Sequence, residues 1–481
     1  MSSEPLRRSR LALVAGLGLV LLGLVVALST LCRSSYSLTC DETFYLETGL
    51  KTLRDGRLDP ELALHGAAPL PILAQYVPPL WWEGASVGSP REGSRLIHGP
   101  RLLTLFTTLV PLMAVAFAWL CRRCGAFAAI LGVGMLGLSP SFLAHASLAT
   151  TDAAFAFLAA LAVLLMGRSL TAPTPARFAL AGLATGLAFS AKYTGAILVA
   201  CFATAQVAYV LGRRRLDGEP DLGGRLRCSL IRTFVFLAVA FLTVWACHGF
   251  EVGPARFPLG IPRPKFLDAF QFQLDHDRLG HPAFFLGQWS NRGWRLYHPF
   301  TMLVKSTLPE LVLAGAGAFL AARALGRRRF QVDREQAMLL LFVAALAAAL
   351  IRSRICIGHR YTLALYPPLV MLSIDALARA IPQARWRRLG GATLLGVQCA
   401  TAVLAAPDFL AYFNPIGGGS RNAWRWLADS NLDWGQGLPA LRSVIAREGY
   451  RRVALDYFGT ASPAEYGVAA DPIEAPSGPV E

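Results

Sequence analysis

Residues 11–31, LALVAGLGLVLLGLVVALSTL, run without a charge for long enough to cross a bilayer as one helix. Hydrocarbon offers no water to unpaired amides, so a spanning chain must be helical or a closed barrel. Here the apolar character is continuous and not alternating, which selects the helix. Comparable stretches recur, near 100–120, 126–140, 152–168, 177–191, 195–212, 231–248, 300–322, 337–351, 362–380 and 389–406, about eleven in all. The composition agrees: 54% of the 481 residues are hydrophobic, 16% are charged, and the mean hydropathy is +0.45. The expected fold is an all-α, polytopic membrane protein.

Basic residues give the expected orientation. Arg7, Arg8 and Arg10, the pair Arg122 and Arg123, the cluster Arg213 to Arg232, the run Arg323 to Arg334, and Arg385 to Arg388 fall on alternate connections, which the positive-inside rule assigns to the cytoplasm. The net charge of +16 then reflects topology and membrane lipid head groups. With no basic groove interleaved with aromatics, nucleic-acid binding is set aside. A cleaved signal peptide is the alternative for the first run. No small-residue cleavage site closes it, so an uncleaved anchor is expected. Nine scattered cysteines give no disulfide framework, although Cys32 and Cys40 have a pairing option outside the cytoplasm. "CRRC" at Cys121 to Cys124 reads as a helix end sooner than as a metal or redox motif.

This topology leaves residues 1–406 as a membrane module with large outer loops at 32–99 and 249–299. Residues 407–481 form a short extracytoplasmic C-terminal segment. Unusual polar residues gather on the outer side. In "SLTCDETFYLETG", Thr39 and Glu42 have capping-box spacing, and Leu46, Leu50 and Leu53 mark an amphipathic surface helix whose other face pairs Glu47 with Lys51. Asp41 and Glu42 thus have a structural reading, as acids at a helix N-terminus, beside a functional one. Asp152 stands likewise at the start of a span in "SLATTDAAFAF". Lys192, Lys305, Arg352, Arg354, His359 and Arg360 lie on the same side, where the charge rule predicts few cations. They read either as snorkelling boundary residues or as a site for an anion, most simply a phosphate at head-group level.

The ordered set "CDETFYLE", "SPSFLAHASLATTDAAFAF", "GLATGLAFSAKYTG", "GHPAFFLGQWSNRGWRLYHPFTMLVKSTLPEL", "IGHRYTLALYPPL" and "YFNPIGGGSRNAWRWLADSNLDWGQGLPALR" resembles the bacterial family 39 glycosyltransferases. That group is similar to protein O-mannosyltransferases and to the aminoarabinose transferases of lipid A. The resemblance implies a GT-C fold in the bacterial inner membrane. It implies transfer of a sugar from a polyprenyl-phosphate donor to an extracytoplasmic acceptor, usually with inversion. By position Asp41 matches the family's catalytic acid and Asp152 its second acid. Asp41 is the expected base, with Glu42 a lesser candidate that caps the helix or orients Asp41. Lys192, Lys305, His359, Arg360 and Tyr361 are the candidates for donor phosphate or sugar.

Trp289, Trp294 and Tyr297 mark loop 249–299 either as an aromatic belt or as a lid or acceptor-binding loop, as the resemblance suggests. In the same loop "LDHDRLGH" offers Asp275, His276, Asp277 and His281 to a metal, but without further ligands it reads better as a solvated loop. "DSNLDWGQ" imitates the start of a calcium loop. Trp434 occupies the position that needs glycine and Ala440 the one that needs glutamate, which excludes calcium. Asp429, Asp433 and Trp434 are therefore expected to organise the acceptor or the loops, or to be structural. No cofactor is demanded, and a divalent metal stays open. The sugar and acceptor are not specified. A lipid-sugar flippase is the alternative of another class. Against it stand the lack of a convincing internal repeat and of central charges in most spans. A degenerate scaffold is a third reading, disfavoured by the presence of Asp41 and Asp152.

Overall fold

A computed structural model describes residues 4–85, 93–211, 221–256, 262–326 and 332–472. The side chains of Arg7, Arg8 and Arg10, parts of two basic connections (212–220 and 327–331), and the end of the chain from 473 lie outside the described residues. Helices fill every segment expected to span, which confirms the all-α polytopic reading. Among the described residues eight helices are long and apolar enough to cross a membrane, or nine if Ala126–Gly137 and Pro140–Ala146, bent by 63°, count as one span. The expected span at 300–322 is broken: Tyr297–Lys305 ends at Lys305 and Leu308–Gly326 begins after Ser306 and Thr307. Pro309, at the start of the second helix, has no amide hydrogen to donate and fits only a first turn.

Glycine spacing explains one of the closest helix contacts. Gly182 and Gly186, four apart in Pro175–Ala191, face Leu222–Cys247 so tightly that a methyl group would stand 2.4 Å from the Phe236 carbonyl oxygen and 2.7 Å from that of Ala240. In lipid, where apolar burial between helices brings little, small residues let backbones touch and gain dispersion contacts instead. Nearby, Phe202 and Phe236 stack with centroids 3.8 Å apart.

The two ends of the bundle differ. At one end arginines and carboxylates brace the helices: Arg123 reaches Asp333 at 2.5 Å and Asp375 at 3.2 Å, and Arg168 reaches Glu335 at 3.3 Å. This end carries the described parts of the basic connections. At the opposite end lie the helix Cys40–Asp55, the short helices up to residue 85, the helix Phe266–Leu279 and the whole segment 406–472. Three two-stranded sheets also lie there, two antiparallel (Val252–Arg256 with Pro262–Pro264, Ala283–Phe285 with Gln288–Ser290) and one parallel (Val453–Leu455 with Ala470–Pro472).

That second end is fastened by one buried ion pair. Thr39 and Glu42 form the expected capping box, and the Glu42 carboxylate also accepts two bonds from Arg101, at 2.8 and 2.6 Å, and one from the Ala149 amide at 2.8 Å. Arg101 spends its remaining donors on the carbonyls of Arg33, Tyr36 and Ser37. Both side chains are fully buried. Burial alone would raise the Glu42 carboxyl, but Arg101 and the two amides outweigh it and hold it below the usual carboxylate range. Arg101→Met would leave the buried Glu42 carboxyl without its cation. It is expected to cost about 3–5 kcal/mol, read as a lower midpoint of thermal unfolding in detergent. An unchanged midpoint would show that the pair does not hold this end together.

Candidate active site

Four charged side chains, each on the first or last turn of a different helix or just beyond it, meet at the end away from the basic brace. Asp41 and Asp152 are the second residues of Cys40–Asp55 and Thr151–Thr171. Lys192 stands where Pro175–Ala191 stops, and Arg360 lies in the 3-10 turn His359–Leu365. The Arg360 guanidinium donates to Asp41 Oδ2 at 2.6 Å and lies 3.9 Å from Asp152 Oδ2. Lys192 Nζ donates to Asp152 Oδ1 at 2.5 Å. The order is thus Asp41, Arg360, Asp152, Lys192, with charges alternating. Aromatic faces support both cations: Lys192 Nζ is 4.1 Å from the Tyr361 ring centre and Arg360 Cζ 4.2 Å from that of Trp434.

A cavity of about 520 Å³ opens over this row, lined by Asp41, Lys192, Arg360 and Tyr361 together with Tyr45 and Phe155. Exposure separates the two acids. The Asp41 side chain is 31% exposed and that of Asp152 only 1%, behind Lys192. Phe270, Gln273, Leu274, His276 and Asp277 of Phe266–Leu279 roof the cavity. Gln273 holds the roof to the Gly66 carbonyl at 2.9 Å, and Asp277 accepts from Ser353 Oγ at 2.6 Å. From loop 249–299 it is thus the helix Phe266–Leu279 that borders the cavity. Asp275 pairs with Arg278, and among the described residues no three His, Cys, Asp or Glu side chains are gathered to hold a metal. A smaller, mostly apolar cavity of about 340 Å³ adjoins across Ala67 and Tyr193.

Three of the expected site residues lie off the cavity. Glu42 lies beside Asp41 in sequence but is turned inward, both oxygens taken by Arg101 and main-chain amides, so it fastens the loop and does not face the cavity. Lys305, expected at a phosphate, is buried and donates to the carbonyls of Leu410 and Asn431, each at 2.6 Å. His359 bonds through its ring to Thr362 and Tyr366 and does not line the cavity. Asp429 has a left-handed backbone (φ 57°) and accepts from the Ser430 amide, and burial pushes its carboxyl above the usual range. Asp433 is exposed and caps a turn through the Gly435 amide. Trp434 is buried under Arg360. Sequence reasoning missed Arg101 and Asn431. The signal for Arg101 was a cation at a span's outer end, where the charge rule predicts few.

The structure is thus a polytopic helical bundle with a row of paired acids and cations beside a cavity. Residues 100–220 match the family model of dolichyl-phosphate-mannose-protein mannosyltransferase, a stretch that includes Asp152 and Lys192. This agrees with the glycosyltransferase resemblance of the sequence. We find no sequence match among curated proteins. Among solved structures, ArnT from Cupriavidus metallidurans in the apo state is 19% identical, with a TM-score of 0.49, 82% of this chain covered and 65% of that chain. The same enzyme bound to undecaprenyl phosphate is 18% identical (TM-score 0.48; 90% and 73% covered). The Archaeoglobus fulgidus oligosaccharyltransferase in the apo form is 16% identical (TM-score 0.47; 95% and 61% covered). The chain therefore spans just under two thirds of the first of these proteins.

Cys40, next to Asp41 on the cavity wall, offers a probe of the site. Its thiol is pushed up to about 11 by burial first and by the Asp41 charge second. Labelling by a small thiol reagent is expected to be slow at neutral pH and to accelerate as pH rises, because only the thiolate reacts. Asp41→Asn removes a neighbouring negative charge, lowers the thiol's pKa and should speed labelling at pH 8. Equal rates in both proteins would contradict the proximity described here.

Proposed function

We propose that this chain is a GT-C glycosyltransferase that moves a sugar from a polyprenyl-phosphate donor to an acceptor on the extracytoplasmic side of a bacterial inner membrane. The observation that carries the reading is the meeting of Asp41, Asp152, Lys192 and Arg360 in one row, three of them on the cavity wall and Asp152 behind it, from four stretches distant in sequence. The family model over residues 100–220 supports the donor class, since its description is that of a transferase using a lipid-phosphate sugar. The basic brace at the opposite end supports a cavity facing away from the cytoplasm.

In this reading Asp41, the accessible acid, takes the proton of an acceptor hydroxyl or amine as that atom attacks the anomeric carbon. The bond from the anomeric carbon to the phosphate oxygen breaks, and the oxygen leaves with the electron pair. Arg360 and Lys192 hold the charge of the departing lipid phosphate. Asp152, enclosed behind Lys192, keeps both cations in place and does not itself meet substrate. Attack from the face opposite the phosphate inverts the anomeric centre.

The test is transfer of labelled sugar from polyprenyl-phosphate donors in reconstituted vesicles. Asp41→Asn is expected to bind donor and to lose about 100-fold or more in turnover, the usual scale for a missing general base. Equal turnover by mutant and wild type would remove Asp41 from the chemistry. Lipid crossing the bilayer with no sugar transferred would replace the enzyme with a flippase.

A further inference from the structure

Arg360 touches both acids of the site, so whatever fixes Arg360 fixes the distance between them. Its backbone is held by a segment about seventy residues away in sequence. Asn431 is fully buried, and each end of its side chain is engaged. Its Oδ1 accepts from the His359 amide at 2.8 Å, immediately before Arg360. Its Nδ2 donates to Tyr297 Oη and to the Ala428 carbonyl, both at 2.9 Å. Its own carbonyl accepts from Lys305 Nζ at 2.6 Å. Beside it, Ser430 Oγ donates to the Ile357 carbonyl at 2.8 Å. Gly358 lies so close that a methyl group there would be 2.2 Å from that hydroxyl. The turn 357–359 is thereby seated on residues 430 and 431.

Three residues on, Trp434 acts on both members of the Asp41–Arg360 pair. Its indole lies 4.2 Å beneath the guanidinium, and its carbonyl accepts from the Cys40 amide at 3.0 Å, one residue before Asp41. One short stretch thus grips the acid through the main chain and the cation through a ring. Neither Asn431 nor Trp434 lines the cavity, which makes a direct contact with substrate an inferior explanation of them.

We propose that Asn431 and Trp434 are positioning residues that set Arg360 between Asp41 and Asp152, so that the donor's phosphate meets the guanidinium in register with the base. The proposal rests on the donor reading above. Its test is a double-mutant cycle in nanodiscs, with binding of labelled polyprenyl phosphate as the probe and monodisperse elution as the check on folding. Asn431→Ala alone and Arg360→Gln alone are each expected to weaken binding about tenfold, the scale of one charge-assisted contact. In the Arg360→Gln background, Asn431→Ala should add nothing. Residues with a merely structural role give additive losses, and additive losses would overturn the proposal. If Asn431→Ala does not fold, Trp434→Leu enters the same cycle, with Trp434→Phe expected to restore much of the binding because a ring still faces the cation. Failure of the wild type to bind polyprenyl phosphate would sink the donor reading and this proposal with it. A wild type that binds, with additive losses in the cycle, would sink this proposal alone.

Discussion

The pairing of Glu42 with Arg101 is the interaction on which the cavity end of this protein depends. Removing two charges from water costs several kcal/mol per ion, which their attraction offsets only when the remaining donors and lone pairs are also satisfied. Here they are: the carboxylate takes two bonds from Arg101 and others from the Thr39 and Ala149 amides, and the guanidinium reaches three further carbonyls. The pair joins the end of the first span, the start of the surface helix, the start of the second span and the approach to Thr151–Thr171. Asp41 and Asp152 ride on two of those elements. Their approach to a common arginine is therefore a consequence of a salt bridge that contains neither.

The membrane helices were legible because apolar runs of spanning length have few alternative structures. The acids were legible for a second reason: Asp41 and Asp152 are rare carboxylates at span boundaries on one side, and the structure brings both to Arg360. Where the reading went astray, the deciding partner lay far along the chain. Nothing local to Lys305 announces that Leu410 and Asn431 will turn their carbonyls toward it. Nothing beside Glu42 points to Arg101, 59 residues away. The capping box was visible precursor enough for the helix start, but it left the second oxygen of that carboxylate unassigned.

The C-terminal segment makes the same point at larger scale. Asp429, Asp433 and Trp434 of this segment were expected to organise the acceptor or the loops, or to be structural. Residues 410–436 supply acceptors to Lys305, His359, Ser37 and Cys40, and Tyr466 accepts from the Leu38 amide. Main-chain groups from irregular loops have no ladder to join, so at a boundary they must find such partners one by one. The segment is the inner wall of the site's support, which periodicity and composition do not reveal.

The glycines of Pro175–Ala191 carry a consequence of their own. Lys192 is the residue at which that helix ends, so its ammonium is registered by how deeply and at what distance the helix seats against Leu222–Cys247. A side chain at Gly182 or Gly186 would prise two backbones apart and shift the charge at the helix end without touching the cavity. The spacing of these two helices thereby bears on where that charge sits. For anyone redesigning this protein, a contact deep between two helices is part of what places a charge at their end.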